Sequence, residues 1–198
     1  MTRVRVQLND CAHAFLPGHR LQLAVSTNYW PMVWPSPEPV RLTVHGGSTL
    51  ELPVRPPRHE DDGLRDLGEP EWGPLAAVTV LREGRYARET RIDALTGETS
   101  VTNVVEGPLS RLDQTGRALA LTGYDRSSIG ADDPATARAE SRREFEIVRD
   151  GLTIRVSADV VLACTREDLL LDVRMTASED DATTWDRDWS FRIPRDHV

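Results

Sequence analysis

Alternation of apolar and polar residues with a period of two constrains the fold of this chain more than any other feature. The pattern is clearest around Asp150-Gly151, a dipeptide that favours a two-residue hairpin turn. Phe145 and Ile147 alternate with polar residues before the turn, and Leu152 and Ile154 do so after it. Because such strands have one apolar face, the pattern predicts an antiparallel sheet with one face in water.

The same alternation predicts strands along most of the chain. Four fall in the first quarter, with a turn at His45-Gly46-Gly47 before the last of them: residues 2–8, 20–25, 40–44 and 50–54. Two more, 77–82 and 86–93, are predicted to be joined by a turn at Glu83-Gly84-Arg85. Strands at 98–105, 143–149, 152–162, 169–175 and 189–193 follow.

A change of composition divides these strands into two groups. Residues 57–74 are rich in proline, glycine and charge, which is typical of a linker or a long surface loop. The sequence therefore predicts an all-β protein in which residues 1–56 form one part and residues 75–198 form an antiparallel meander packed on it.

Composition excludes two classes of partner. The chain carries 32 acidic and 24 basic residues, a formal charge of −8, whereas nucleic-acid binding requires a concentrated positive face. No apolar run approaches the roughly 20 residues of a membrane span, and residues 1–10 lack the apolar block of a signal peptide. We expect a cytoplasmic protein that binds neither nucleic acid nor membrane.

Catalytic and metal-binding motifs are absent from the sequence. It contains no GxSxG nucleophile elbow, and Ser26 lies within a strand pattern. The five histidines lack zinc-site spacing, and the two cysteines, Cys11 and Cys164, are expected to be buried free thiols. His19, at a turn, either orients a carboxylate of a partner or bonds a backbone carbonyl, and the second interpretation is preferred. We predict no catalytic residue, metal or cofactor.

Tyr29, Trp30 and Trp34 form the richest aromatic group, and they stand among four prolines. Two interpretations compete. The rings either form an exposed, coplanar platform for sugar rings, or pack against the prolines and neighbouring strands, where each would bury about 150 to 250 Å². Packing is preferred, and the exposure of the two tryptophans separates the alternatives.

Residues 9–55 resemble the carboxy-terminal β-domain of the X-Pro dipeptidyl-peptidase and cocaine-esterase-like serine hydrolases. Their sequence is NDCAHAFLPGHRLQLAVSTNYWPMVWPSPEPVRLTVHGGSTLELPVR. Its most specific pieces include Leu52-Pro53-Val54-Arg55, and the resemblance continues at Asp133-Pro134 and in WSFRIPRDHV, residues 189–198. The signature residues, which we expect to be structural, are Pro17, Gly18, His19, Arg20, Tyr29, Trp30, Pro31, Trp34 and Pro35.

The resemblance implies a jelly-roll β-sandwich of the galactose-binding-like type that packs beside an α/β-hydrolase catalytic domain and shapes its substrate pocket without supplying the catalytic triad. The family's jelly roll starts upstream of the segment that matches residues 2–8, so a partial jelly roll, from a truncated or split gene, is expected here. Its exposed strands would associate with a hydrolase segment or a second copy. The alternative is a free-standing carbohydrate-binding module.

Overall fold

The computed structural model describes residues 3–196, and its strands all lie in the second part of this range. Residues 3–77 contain one 3₁₀ helix, His59–Gly63, and no strand. Nine strands follow: β1 Val78–Arg82, β2 Arg85–Ile92, β3 Thr99–Glu106, β4 Leu109–Leu112, β5 Ala118–Ile129, β6 Arg138–Arg149, β7 Leu152–Cys164, β8 Asp168–Glu179 and β9 Ala182–Pro194. A second 3₁₀ helix, Pro134–Thr136, connects β5 to β6.

The nine strands form one open antiparallel sheet, which confirms the predicted all-β class. From β5 to β9 each strand pairs with the next along the chain. The opposite edge of β5 is shared, because β4 pairs with its first residues and β3 with the rest. Strand β1 pairs with β4 and β2 with β3, so β1 and β2 are successive parts of one interrupted edge.

The hairpin predicted from Asp150-Gly151 is confirmed. Both residues have positive φ, 52° and 82°, as a type I′ turn requires. The turn joins β6 to β7, in which Phe145 lies opposite Val156 and Ile147 opposite Ile154. Asp150-Gly151 thus predicted the turn, and the alternation on either side of it agrees with the register of this strand pair.

Glycine occupies both short interruptions in the sheet, at positions 84 and 107. A Cβ on Gly84 would lie 2.7 Å from the carbonyl oxygen of Glu106, and one on Gly107 would lie 2.6 Å from that of Leu121. Glycine is therefore required where neighbouring strands approach so closely. The turn predicted at Glu83-Gly84-Arg85 is wrong, since β1 and β2 run on in the same direction, separated by Glu83 and Gly84.

The strands predicted within residues 1–56 are not present among the described residues of that segment, and residues 3–196 show no jelly roll or sandwich. Residues 3–8, 20–25, 40–44 and 50–54 are irregular; Thr2, like Met1, His197 and Val198, lies outside the described residues. The turn predicted at His45-Gly46-Gly47 does form, at Gly46 and Gly47, with Gly47 at φ 90°. A strand exists through hydrogen bonds to a neighbour, and alternation predicts an apolar face but does not supply that neighbour.

The buried apolar core within residues 3–196 is small, because the sheet is a single layer. It consists of Ala118, Ala120, Ala137 and Cys164. Large apolar side chains remain exposed on one face of the sheet. In the same range, no helix has the length and apolar character needed to cross a membrane.

Candidate functional site

The first signature motif forms an exposed turn. Gly18 has a φ of 87°, which favours glycine, and the backbone N–H of His19 donates to the carbonyl of Leu16 at 3.1 Å. His19 and Arg20 are exposed. The turn thus presents an imidazole and a guanidinium to solvent.

The second signature motif is a compact turn around the Trp30–Pro31 peptide bond, which is cis. The N–H groups of Met32 and Val33 both donate to the carbonyl of Tyr29, at 2.9 and 3.0 Å. The N–H of Trp30 donates to Oδ1 of Asn28 at 2.9 Å. These local bonds hold Trp30 and Trp34 on the same side of the segment.

Trp30 and Trp34 contact each other edge to face. Their ring centroids are 5.0 Å apart and the rings are inclined by 83°. Both residues are half-buried, whereas Tyr29 is exposed. The indole nitrogen of Trp34 is buried and has no hydrogen-bond partner among the described residues. The two rings therefore do not form a coplanar row.

Pro35 connects this segment to the end of the sheet. Pro35 is buried, and its carbonyl accepts a 2.5 Å hydrogen bond from Nη2 of Arg195, which is also buried. Nη1 of Arg195 donates to the carbonyl of Thr165 at 3.1 Å. The backbone N–H of Arg195 donates to the carbonyl of Glu167 at 2.8 Å. One guanidinium thus bridges the signature segment and the β7–β8 loop.

A second contact with the sheet surrounds an open cleft of about 270 Å³ between residues 27–40 and the β5–β6 connection. Its walls include Glu38, Asp132 and Asp133. Oδ1 of Asp133 accepts from the N–H of Ala135 at 3.0 Å and caps the 3₁₀ helix there. No group of three potential metal ligands occurs within residues 3–196.

One face of the sheet is charged and carries several ion pairs. Glu146 is buried near the end of β6 and accepts from Arg82 of β1 at 2.7 Å and from Arg155 of β7 at 3.3 Å. The hydrogen bond from Arg82 lowers the pKa of Glu146, burial opposes this, and the positive charges of both arginines add to the lowering. Arg174–Asp186 and Arg192–Asp168 continue the pattern at β8 and β9.

The opposite face, called the apolar face below, displays the alternating apolar residues. The register places Leu121, Phe145, Val156, Ala177 and Trp185 in one row across five strands. Four of these five side chains are exposed, Phe145 by 40% and Trp185 by 38%. Further rows end at three exposed residues of β9, Trp189, Phe191 and Ile193. Among residues 3–196, no second layer therefore covers this side of the sheet.

One ion pair interrupts the apolar face near its middle. Arg143 donates to Asp125 at 2.8 Å, and the Ser141 hydroxyl donates to the other oxygen of the same carboxylate at 2.8 Å. Burial acts to raise the pKa of Asp125, but the hydrogen bonds from Arg143 and Ser141 outweigh it and lower the pKa. The carboxylate is thus held ionised and satisfied within the face.

The remaining candidate nucleophiles are structural or isolated. The Ser26 hydroxyl donates to the carbonyl of Asn28 at 2.6 Å within a local turn. Cys164 is buried, with its sulfur 3.6 Å from the carbonyl oxygen of Ala135. The prediction that Cys11 is buried is wrong, since it lies exposed in the strand-free segment. Both thiols are free.

Fold and surface together define an all-β domain with a broad, exposed apolar face. Residues 1–89 match the family model of the X-Pro dipeptidyl-peptidase C-terminal non-catalytic domain. The match confirms the resemblance stated above for that part of the chain, and it extends from the strand-free segment through β1 into β2. Comparison with curated proteins and with solved structures finds no match.

Two residues of functional interest, Arg195 and Trp185, were not predicted from the sequence. Arg195 was not singled out, because its role depends on a contact with a residue 160 positions away. Trp185 was also overlooked, although it lies in phase with Trp189, Phe191 and Ile193, so period-two alternation was sufficient to find it.

Proposed function

We propose that this chain is a non-catalytic accessory domain of an X-Pro dipeptidyl-peptidase or cocaine-esterase-like serine hydrolase. In this role it packs against an α/β-hydrolase catalytic domain and contributes to the shape of the substrate pocket. Two observations support the proposal: the family match over residues 1–89 is to a non-catalytic domain, and the sequence encodes no nucleophile elbow.

The observation that carries the proposal is the exposed apolar face. Contiguous apolar patches of this kind mark interaction surfaces, because each Å² left in water costs about 25 cal/mol. The opposite face is occupied by ion pairs such as Arg174–Asp186. The catalytic domain is therefore assigned to the apolar face, whether it belongs to the same polypeptide or to another.

The finer architecture follows from the same family. Residues 1–56 are proposed to complete part of a jelly-roll sandwich when they lie against the catalytic domain, residues 57–74 act as a linker, and residues 75–198 form the meander. The support is the one-sided alternation of Val4 and Val6 and of Leu21, Leu23 and Val25, all of which are exposed in the isolated chain. The cytoplasmic location stays a prediction.

The experiment that tests the function is reconstitution. The chain is co-expressed with an α/β-hydrolase catalytic domain from the same genome, and hydrolysis of an X-Pro chromogenic substrate is measured. We expect the chain to bind that domain and to raise its kcat/KM. Leu121→Gln on the apolar face should weaken the complex, whereas Arg142→Gln on the charged face should not. Binding that is lost equally in both variants would contradict the assignment of the apolar face.

The chain alone should be inert. A fluorophosphonate probe should leave it unlabelled, because a serine without an elbow and a paired base is not activated. Stoichiometric labelling that one Ser→Ala change abolishes would overturn the non-catalytic assignment.

The rival function, a carbohydrate-binding module, requires a flat aromatic platform. The 83° inclination of Trp30 to Trp34 and the buried indole nitrogen of Trp34 weigh against it. Glycan-array binding that Trp34→Ala removes without changing the melting temperature would favour that rival.

A further inference from the structure

The last strand of the sheet, β9, has one hydrogen-bonding edge without a strand partner within residues 3–196. Ala182–Pro194 pairs with β8 on one side, and β9 stands at the end of the strand order. The strand has 13 residues, all of them exposed, and its only proline is the last residue. A long edge without an internal proline is a template for pairing with another strand.

The charges of β9 are arranged so that the strand complements its own antiparallel copy. If the twofold axis passes through Asp188, the Asp188 carboxylates of the two copies face each other, and if it passes through Arg187, Asp186 of one copy faces Asp188 of the other. An axis at Trp189 instead places Asp186 of each copy opposite Arg192 of the other, which gives two pairs of opposite charge. Opposite charges that face each other across strands stabilise a pair, and like charges destabilise it.

The same axis also matches the apolar face. It sets Trp189 opposite its own copy, Trp185 opposite Ile193 and Arg187 opposite Phe191. The four apolar side chains in these pairs, which are all exposed, lie on the apolar face. Arg187 already lies 6.0 Å from the ring centroid of Trp185, so it can contact aromatic rings on both sides. An axis at Ser190 would also satisfy Arg192, through Asp188, but it shortens the ladder because β9 ends at Pro194.

We propose that two copies of this chain pair through β9 in antiparallel orientation, with the twofold axis at Trp189, to form a continuous sheet. The occupant of the edge is thus a second copy of the chain. This inference concerns the edge of the sheet and goes beyond the proposed function, which assigns a different partner to the apolar face.

Site-directed disulfide formation tests the pairing and its register in the full chain, with Cys11→Ser removing the exposed native thiol. In the Trp189→Cys variant the two new cysteines face each other at the axis, within the 4.4 to 6.8 Å Cα separation that a disulfide allows. In the Arg187→Cys variant the two copies are four residues out of register, about 13 Å apart along the strand. Mild oxidation should therefore link the first variant at least roughly tenfold more than the second.

Two measurements keep the proposal falsifiable if Trp189→Cys weakens the dimer. Light scattering of the wild-type chain should show a dimer, and amide hydrogen exchange of β9 should slow as concentration rises while exchange of β2 does not. A wild-type monomer at the highest soluble concentration, or a dimer without protection of β9, would overturn the proposal. Preferential linkage of Ser190→Cys would overturn the Trp189-centred register.

Discussion

Arg195 donates a 2.5 Å hydrogen bond from Nη2 to the carbonyl oxygen of Pro35, 160 residues earlier in the chain. Both residues are buried, although most of the segment around Pro35 is exposed. The bond therefore attaches the Trp-Pro signature to the end of the sheet. A guanidinium suits this position because its planar fork can serve two carbonyls at once, here those of Pro35 and Thr165.

Replacing Arg195 with alanine should release the signature segment. The change leaves two carbonyls without their charged donor, and we expect a loss of about 1 to 3 kcal/mol in the free energy of unfolding. Faster hydrogen exchange or proteolysis near Pro35 would show the release. Arg149→Ala is the matched control, because Arg149 pairs at the surface with Asp150, whose side chain is 84% exposed, and its loss should cost less than about 1 kcal/mol. Equal effects of the two substitutions would contradict the attachment.

Trp34→Ala should destabilise the protein by about 1 to 3 kcal/mol, less than the 3 to 5 kcal/mol of a fully buried tryptophan. Trp34 is half-buried and loses its edge-to-face contact with Trp30. Trp72→Ala is the control, since Trp72 is 89% exposed and its loss should change the melting temperature little. If both variants melt at the same temperature as the wild type, the packing interpretation fails.

Gly151→Val should destabilise the β6–β7 hairpin by about 1 to 3 kcal/mol. Gly151 has a φ of 82°, a region that a β-branched side chain adopts only with strain. Gly151→Asn should cost less, because asparagine tolerates positive φ. Chemical denaturation of both variants measures the difference, and an unchanged midpoint for valine would show that the turn adopts another conformation in solution.

The Glu146 cluster, Glu146 with Arg82 and Arg155, should make the free energy of unfolding decrease at acidic pH. Because the folded-state pKa of Glu146 is lowered from its usual value near 4.5, its contribution is complete above that pH and is lost as the pH falls through the folded-state pKa. Glu146→Gln should cost about 1 to 3 kcal/mol at neutral pH and flatten the decline below pH 4.5. The exposed Glu71→Gln should leave the curve nearly unchanged. An identical acid profile for Glu146→Gln and wild type would refute the role of the cluster.

Local chemistry determined how much of the fold could be predicted. Asp150-Gly151 encodes its own turn, and the residues on either side reach their partners within a few positions, so the β6–β7 register followed from sequence. Between β8 and β9 the turn at Asp180 and Asp181 lacks the glycine signal, and of these two residues only Asp180, with φ 50°, has positive φ. At Gly84 glycine was interpreted as a turn, because sequence does not reveal how closely the Glu106 carbonyl approaches it.

The exposed surface could be predicted only in part, because contacts between residues distant in sequence are not visible in local patterns. Alternation identified the apolar residues of β6 to β9, but which of them stay uncovered depends on a second layer that no local pattern describes. The strands predicted within residues 1–56 show the converse. Their alternation resembles that of the meander, yet no neighbour in the described chain pairs with Leu21, Leu23 or Val25, and they remain irregular.

The two edges of the sheet differ in the length of strand that each offers to another chain. The β1–β2 edge is interrupted at Glu83 and Gly84, where a Cβ on Gly84 would lie 2.7 Å from the carbonyl oxygen of Glu106, and it consists of strands of five and eight residues. The β9 edge is one strand of 13 residues, with a register shift near its start between the pairs Ser178–Thr183 and Ala177–Trp185. A pair that forms through β9, as proposed above, uses this edge of both copies, so the shorter and interrupted β1–β2 edges face outward. The interruption at Gly84 therefore disfavours growth beyond two copies, and it bears on assembly as well as on local packing.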